Sequence, residues 1–290
     1  MKNEFVIVTD STTDLPQSIA NELGLIVLPL KYNIANETYA NYLDYREQDV
    51  KDFYDLVRKG NLATTSQLVP EEYIEALSPI LESGKDVLIL SFSSKLSGTY
   101  NSARLATIEL QEKFPERKII SLDTKSASLG EGFLVYLTAK EKQKGLTIEE
   151  AVEFVNKTML HVAHWFTVDD INHLRRGGRI SAVSSFVAKA LNIKPVMHTD
   201  NEGALIPRQK AVTRKRAIKA LFTKMEETAL PDQKIVFIGH GDDLEAAKTL
   251  EAYIKEKYPK AEVLINTIGP VIGAHTGQGV LALFFLATER

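Results

Sequence analysis

Short apolar runs alternate with amphipathic, helix-like segments along the chain, and this alternation limits the folds open to it. Each run has the length of a buried strand, and most of the intervening segments have helical periodicity. Strand–helix–strand alternation at this spacing predicts an α/β fold with largely parallel sheets. The predicted strands cover residues 5–9, 25–30, 86–92, 118–122, 164–168, 194–198, 234–239, 261–267 and 280–287.

Two of the helical segments have clear ends in the sequence. Pro70 opens a helix that Gly84 closes, and Pro79 inside it predicts a kink or a break. Thr147 and Glu150 form the pattern of a capping box at the start of another helix.

A length of 290 residues fits two domains of ordinary size. The sequence contains no low-complexity linker, so we place the boundary near Leu160, after a long helical region. The predicted domains are then 1–160, with the TTSQ and LSGTY loops, and 161–290, with a basic region and the AHTGQG loop.

Composition excludes several classes of site. The chain has no cysteine, so thiolate metal sites, thiol nucleophiles and disulfides are ruled out. No apolar stretch approaches the roughly 18–20 residues of a membrane span, and MKNEFVIVTDST at the start does not have the pattern of a signal peptide. We therefore expect a soluble, cytoplasmic protein that needs no metal and no cofactor.

Charge is distributed unevenly along the sequence. The net charge is −3, yet residues 175–219 contain eleven Lys and Arg against Asp200 and Glu202, a local excess of +9. Such asymmetry predicts a face that meets an acidic or phosphate-bearing partner. A nucleic-acid-binding regulator is the weaker alternative, because the region has neither periodic aromatic residues nor a clear helix-turn-helix pattern.

Four polar stretches follow or precede predicted strands, where open α/β sheets bind ligands. TDSTTDL (9–15) is interpreted as turn and helix-capping chemistry. The other three, ATTSQLVP (63–70), SFSSKLSGTYNSA (91–103) and GPVIGAHTGQG (269–279), are interpreted as ligand loops.

The serine-rich stretch ends a strand and begins a helix at Gly98, a junction whose amides and hydroxyls suit an anion. It lacks the GK[ST] of a phosphate-binding loop and the spacing of a nucleophile elbow. His275 stands in a glycine-rich loop, which favours a ligand contact. A stand-alone serine hydrolase or acyltransferase using Ser97 and His275 stays open as an alternative.

Together these stretches resemble the DegV family, whose members include fatty-acid-binding subunits of the bacterial fatty acid kinase. The matching motifs are TDSTTDLP, TTSQ, SSKLSGTYNSA, LRRGGRIS and GAHTGQG, in the family's order and over nearly the whole chain. The resemblance implies two α/β domains with a fatty acid between them. Its carboxylate would lie at the interdomain cleft, and its tail would be buried mainly in the C-terminal domain.

The resemblance also implies roles for particular residues. Residues matching the family's carboxylate-binding positions are Thr65, Ser97 and His275, and supporting positions are Ser66, Ser93, Ser94 and Gly98. Residues expected to dock the partner are Arg176, Arg179 and Arg214. One departure concerns the same surface, because Val212 occupies a position where family members often have arginine.

The ligand implied by the resemblance is a long-chain fatty acid. A separate, ATP-dependent kinase subunit would phosphorylate its carboxylate, so this chain alone would not be an enzyme. Transient contact with a membrane surface for lipid exchange is compatible with that role, and no nucleic-acid partner is expected.

Overall fold

The computed structural model of the chain describes residues 4–180 and 193–290. Its strands, in chain order, are β1 (Phe5–Asp10), β2 (Ile26–Leu28), β3 (Lys31–Ile34), β4 (Glu37–Ala40), β5 (Thr64–Ser66), β6 (Asp86–Ser91), β7 (Ile119–Asp123), β8 (Val162–Thr167), β9 (Lys194–Thr199), β10 (Leu205–Ala211), β11 (Ile235–His240), β12 (Glu262–Thr267) and β13 (Leu281–Leu286).

The helices within the described ranges are α1 (Gln17–Glu22), α2 (Val50–Arg58), α3 (Pro70–Glu82), α4 (Thr99–Lys113), α5 (Leu129–Gln143), α6 (Ile148–Thr158), α7 (Asn172–Arg176), α8 (Arg214–Thr228), α9 (Leu244–Lys257) and α10 (Pro270–Thr276). The capping box at Thr147 and Glu150 is present at the start of α6. The break expected at Pro79 is wrong, since α3 continues through it. Pro79 lacks the N–H that would donate to the carbonyl of Glu75, so α3 continues with one backbone hydrogen bond fewer.

The first half of the chain forms a parallel four-stranded sheet in the order β2-β1-β6-β7. Every residue of β6 is buried, and so are five of the six in β1. Near-continuous apolar runs of this kind are typical of parallel strands covered on both faces. The two-domain α/β class predicted from the sequence is confirmed, and this sheet is parallel as expected.

The second sheet departs from that expectation. Its six strands run in the order β10-β9-β8-β13-β11-β12, and of its five pairings only β11 with β12 is parallel. The connection from β9 to β10 is a short turn, closed by an N–H of Asp200 that donates to the carbonyl of Ala204 at 2.9 Å. Because a parallel pair needs a long crossover, so short a connection can only produce an antiparallel pair.

A third, three-stranded antiparallel sheet was not predicted. Its order is β4-β3-β5, and β3 and β4 are joined by Ala35 and Asn36, which both have positive φ. Two such residues define the type I′ turn that suits the twist of a hairpin. On the other side of β3, Tyr32 pairs with Thr65, so this small sheet determines where Thr65 lies.

Helix α5 lies between the two large sheets. Its Phe133 packs edge-on against Phe237 of β11, with ring centroids 4.9 Å apart. One buried apolar cluster includes residues of both sheets, from Phe5 to Phe284. The boundary near Leu160 falls just before β8 and stays a prediction, because apolar packing is continuous across it.

Candidate functional site

A cavity of about 450 Å³ lies where loops of the first sheet meet the open face of the second. This volume is within the usual range for sites that hold small organic ligands. Much of its wall is apolar, as shown by Leu96, Phe166, Leu205, Val271, Ala282 and Phe284.

The cavity is elongated along β13. Val280, immediately before β13, and Ala282 and Phe284 within it are alternate residues of the chain, and all three line the cavity. At about 3.4 Å per residue, they cover roughly 14 Å of wall. His275 lines the end near Val280, whereas His164, which pairs with Phe284, lines the far end. A channel of this shape suits a long, apolar chain.

The three residues expected to bind a carboxylate all line this cavity, although they come from distant parts of the sequence. Thr65 is on β5, Ser97 precedes α4, and His275 is in the last turn of α10. Thr65 Oγ1 lies 2.9 Å from His275 Nε2. Ser97 Oγ lies 2.9 Å from the hydroxyl of Thr99 and accepts the backbone N–H of Thr99 at 3.2 Å.

The glycine-rich surroundings of His275 led us to expect a loop, but this residue lies in a helix. The segment forms α10, which Pro270 begins and Gly277, with φ of 73°, ends. Burial lowers the pKa of His275 to about 4, and the positive charge of Arg179 adds to this effect. The imidazole is therefore neutral at physiological pH, and among the described residues its Nδ1 has no hydrogen-bond partner.

Arg179, which the sequence assigned to partner docking, lines the cavity. Its Nε donates to the carbonyl of Leu96 at 2.9 Å, and Nη1 donates to the carbonyl of Gly177 at 2.5 Å. Partial burial lowers the pKa of its guanidinium from the usual value. These bonds hold a cation in the wall near His275, so Arg179 belongs structurally to the cavity as well as to the basic region.

The other two arginines differ in environment. Arg176 is exposed, with Nη2 3.2 Å from His173 Nδ1. Arg214 is paired with Asp243 at 2.7 Å and with Asp169 at 3.6 Å. Val212 is 56% exposed. Docking by these arginines stays a prediction, and Ser181, the last residue of the LRRGGRIS motif, lies outside the described residues.

The residues expected to support the site lie in different environments. Ser66 lines the cavity. Ser93 is buried and donates to the carbonyl of Gly203 at 2.9 Å, which ties this loop to the turn between β9 and β10. Ser94 is exposed and does not line the cavity, while its N–H donates to Asp123 Oδ1 at 3.2 Å. Gly98 is the N-cap of α4, and a side chain there would overlap Gln67.

The geometry does not favour the serine-hydrolase alternative. No hydrogen bond joins Ser97 to His275 within the described ranges, since the hydroxyl of Ser97 faces Thr99 and Nε2 of the imidazole faces Thr65. A serine nucleophile needs a base within hydrogen-bond reach. Residues 4–180 and 193–290 likewise contain no group of three or more His, Asp or Glu placed to hold a metal ion.

Sequence reasoning missed a buried acidic cluster beside the cavity. Thr12, which lines the cavity, places its hydroxyl 2.9 Å from Glu131 Oε2 and also against Asp10 Oδ1. The hydroxyl of Thr9 lies 3.2 Å from Glu131 Oε1 and 2.8 Å from the carbonyl of Leu90. Burial raises the pKa of Glu131 well above its usual value. The TDSTTDL motif indicated only turns and caps.

Asp14, at the end of the same motif, links two walls of the cavity. Its carboxylate accepts the hydroxyl of Ser128 at 2.5 Å and the N–H of Gly269, the N-cap of α10, at 2.9 Å. Burial raises the pKa of Asp14 to about 7. Asp14 therefore helps to hold the helix that carries His275.

The fold and the cavity define a class: α/β proteins of two large sheets with an elongated, largely apolar cavity between them whose wall also carries polar residues. The family model described as "Uncharacterised protein, DegV family" matches residues 4–288. The chain belongs to the DegV family.

Individual relatives agree with this assignment. A DegV domain-containing protein of Clostridium perfringens is 43% identical over 288 residues, covering 99% of each chain. A Thermus thermophilus DegV family structure described as fatty-acid-binding is 30% identical, covers 98% of this chain and 99% of its own, and has a TM-score of 0.87. The Streptococcus pneumoniae Fatty Acid Kinase B3 protein, with bound linoleic acid, shares the fold at 22% identity, with coverage of 98% and 99% and a TM-score of 0.83.

No helix among the described residues is long and apolar enough to span a bilayer.

Proposed function

We propose that this protein binds a long-chain fatty acid and presents its carboxylate to a separate, ATP-dependent kinase that forms the acyl phosphate. The observation that carries the proposal is the convergence of Thr65, Ser97 and His275 on one elongated, largely apolar cavity. The Thermus thermophilus relative, described as binding fatty acid, supports the choice of ligand.

The polar residues suit a carboxylate head group. With a proton on Nε2, His275 donates to Thr65 Oγ1, and the hydroxyl of Thr65 is free to donate to a carboxylate oxygen. The hydroxyl of Ser97 supplies a second donor. Arg179 contributes positive charge from the wall without being a direct ligand in this arrangement. Two or three charge-assisted bonds would then fix the head group at the mouth.

The tail would contribute more to affinity than the head group. Each buried methylene gains about 0.8 kcal/mol, so about 14 methylenes gain on the order of 11 kcal/mol before ordering costs. Each hydrogen bond to the carboxylate adds roughly 1.5–3 kcal/mol. The tail therefore determines how tightly the acid is held, whereas Thr65, Ser97 and His275 determine where its carboxylate lies.

The proposal makes the chain a substrate-binding subunit without catalytic activity of its own. In the tautomer that this role requires, Nε2 of His275 donates to Thr65 Oγ1, so the imidazole does not act as a base on that hydroxyl. The kinase would bring ATP, and the exposed cation of Arg176 suits an acidic or phosphate-bearing partner surface. The three polar residues would orient the acyl group and hold the product.

Native mass spectrometry of the protein purified from bacteria tests the ligand directly. We expect an added mass that solvent extraction identifies as one or more long-chain fatty acids, together with rebinding of added acid by the stripped protein. Protein that carries no lipid and fails to bind any added fatty acid would refute the proposal. Purified kinase subunit and ATP then test the second step, which requires acyl phosphate formation only when both proteins are present.

A further inference from the structure

Arg290 has all five of its N–H groups directed at oxygen atoms. A guanidinium has five N–H donors in a fixed planar arrangement. The acceptors are the carbonyl of Val162 for Nε at 3.1 Å, the carbonyls of Lys125 and Asp200 for Nη1 at 2.5 and 3.3 Å, and the hydroxyl of Ser126 at 3.0 Å and the carbonyl of Met159 for Nη2. The side chain is thus fully satisfied by neutral groups.

These acceptors belong to three separate segments of the chain. Lys125 and Ser126 follow β7, Met159 and Val162 lie at the start of β8, and Asp200 begins the turn between β9 and β10. The pairing of β8 with β9 and the bonds of Ser93 to Ser126 and Gly203 also connect these segments. Arg290 adds one side chain that contacts the first sheet's last loop and two parts of the second sheet.

Each of the three segments supplies a wall residue of the cavity within two positions of an Arg290 contact. Ser128 is two residues after Ser126, His164 is two residues after Val162, and Thr199 immediately precedes Asp200. Arg290 itself does not line the cavity. It therefore acts through the backbone of the residues that do.

Two of these wall residues, His164 and Thr199, lie on neighbouring strands of the second sheet. His164 pairs with Phe284, which is four residues along the chain from Val280. Thr199 pairs with Leu205, another lining residue, and adjoins His198, which pairs with Trp165 next to His164. At about 3.4 Å per strand residue, Phe284 is roughly 14 Å from Val280 along the wall.

We infer that Arg290 is a positioning residue that holds the part of the cavity wall formed by Ser128, His164 and Thr199, and so limits the length of the acyl chain that the cavity accepts. The inference rests on the proposed fatty acid ligand. A lysine has three donors on a single point charge and cannot bridge three segments in the same way. Loss of the guanidinium would leave several carbonyls without their donor and allow this part of the wall to move outward.

The test is a chain-length profile measured with the full-length protein. Saturated acids lengthening by two carbons are assayed by displacement of a fluorescent fatty acid from wild type, Arg290→Gln and Arg290→Lys. Wild type should show a cut-off length. In both variants we expect the affinity for the first acid beyond that cut-off to rise relative to the preferred acid by about tenfold, since each accommodated methylene is worth about fourfold.

Arg117→Gln is the matched control. Arg117 also donates a hydrogen bond to a backbone carbonyl, that of Gly84, but it does not line or adjoin the cavity. This variant should lose some thermal stability while keeping the wild-type profile. Ser126→Ala removes one acceptor of Arg290 and should shift the cut-off by a smaller factor, which keeps the test decisive if Arg290→Gln does not fold.

A purely structural role for Arg290 would appear as a lower melting temperature with an unchanged ratio of affinities across the series, and that result would overturn the inference. If the proposed function were wrong, the wild-type protein would instead bind no fatty acid of any length.

Discussion

Thr65 and His275 are 210 positions apart in the chain, yet Oγ1 of one lies 2.9 Å from Nε2 of the other. The contact joins the three-stranded sheet to α10, and both residues line the cavity. Neither element alone could place two polar groups at the mouth. The bond is therefore the point at which the two halves of the proposed head-group site meet.

Thr65→Val should weaken fatty acid binding by roughly 10- to 100-fold, because it removes a donor to the carboxylate and the partner of His275, at a cost of about 1.5–3 kcal/mol. Isothermal titration with a long-chain acid measures the change. Thr64→Val is the control, since Thr64 is exposed on the same strand and does not line the cavity. Equal effects of the two substitutions would contradict the assignment of Thr65.

Ser97→Ala should reduce acyl phosphate formation more than it reduces binding. In the proposed function, most of the binding energy would come from the buried tail, whereas Ser97 would help to fix the carboxylate for reaction. We expect binding to weaken by roughly tenfold, consistent with one lost charge-assisted bond, and phosphorylation to fall by at least roughly tenfold more. Ser94→Ala, at an exposed position, should change neither quantity. Parallel losses in Ser97→Ala would argue against a separate role for the head group.

Asp14→Asn should stabilise the protein increasingly as pH rises. The folded-state pKa of Asp14 is about 7 and its ordinary value is 3.8, so the wild-type contribution is present below about pH 4 and is lost as pH rises toward and through 7. Asparagine suits the positive φ of 51° at this position. Its side chain can still accept the N–H of Gly269 and bond Ser128.

Urea unfolding at several pH values measures this effect. The difference in unfolding free energy between Asp14→Asn and wild type should grow by about 4 kcal/mol between pH 4 and pH 8. Asp44→Asn is the control, because the hydrogen bond from Arg46 lowers the pKa of exposed Asp44 and removes any such gain in this range. A difference that is flat with pH would show that Asp14 is not held in an unfavourable charged state.

Arg176→Glu should leave fatty acid binding within about twofold of wild type and lower the rate of acyl phosphate formation by roughly tenfold, since a reversed charge at an exposed docking position slows association. The loss should diminish as salt is added. Lys157→Glu makes the same charge change on α6 at an exposed position and should have little effect. A loss of binding in Arg176→Glu would instead place this arginine in the ligand site.

Much of this architecture follows from local sequence patterns. The apolar runs identify most strands of the two large sheets, and the motifs around Thr65, Ser97 and His275 predict that these residues contact a ligand. The hydrophobic periodicity of one segment does not show which strands become its neighbours in a sheet. The antiparallel pairings of β13 with β8 and β11 were therefore not predicted. Four glycines around His275 indicated a loop, although Pro270 at the first position of a helix was a signal for α10.

Other parts of the site carry no local signal. Arg290 has no motif around it, and its importance depends on five oxygens that only the folded chain brings together. Arg179 is part of a basic motif, which favoured a surface role, while its contacts with Leu96 and Gly177 place it in the cavity wall. Long-range backbone contacts of this kind cannot be predicted from spacing along one sequence.

The hydroxyl of Thr12 carries one hydrogen, yet it lies between the carboxyl groups of Asp10 and Glu131. Burial raises the pKa of both carboxyls, so the folded chain holds a proton at this pair up to a higher pH than the unfolded chain does. Unfolding returns both groups to water and releases any proton that the pair still holds, so the stability that the pair contributes is lost as pH rises through the raised pKa values.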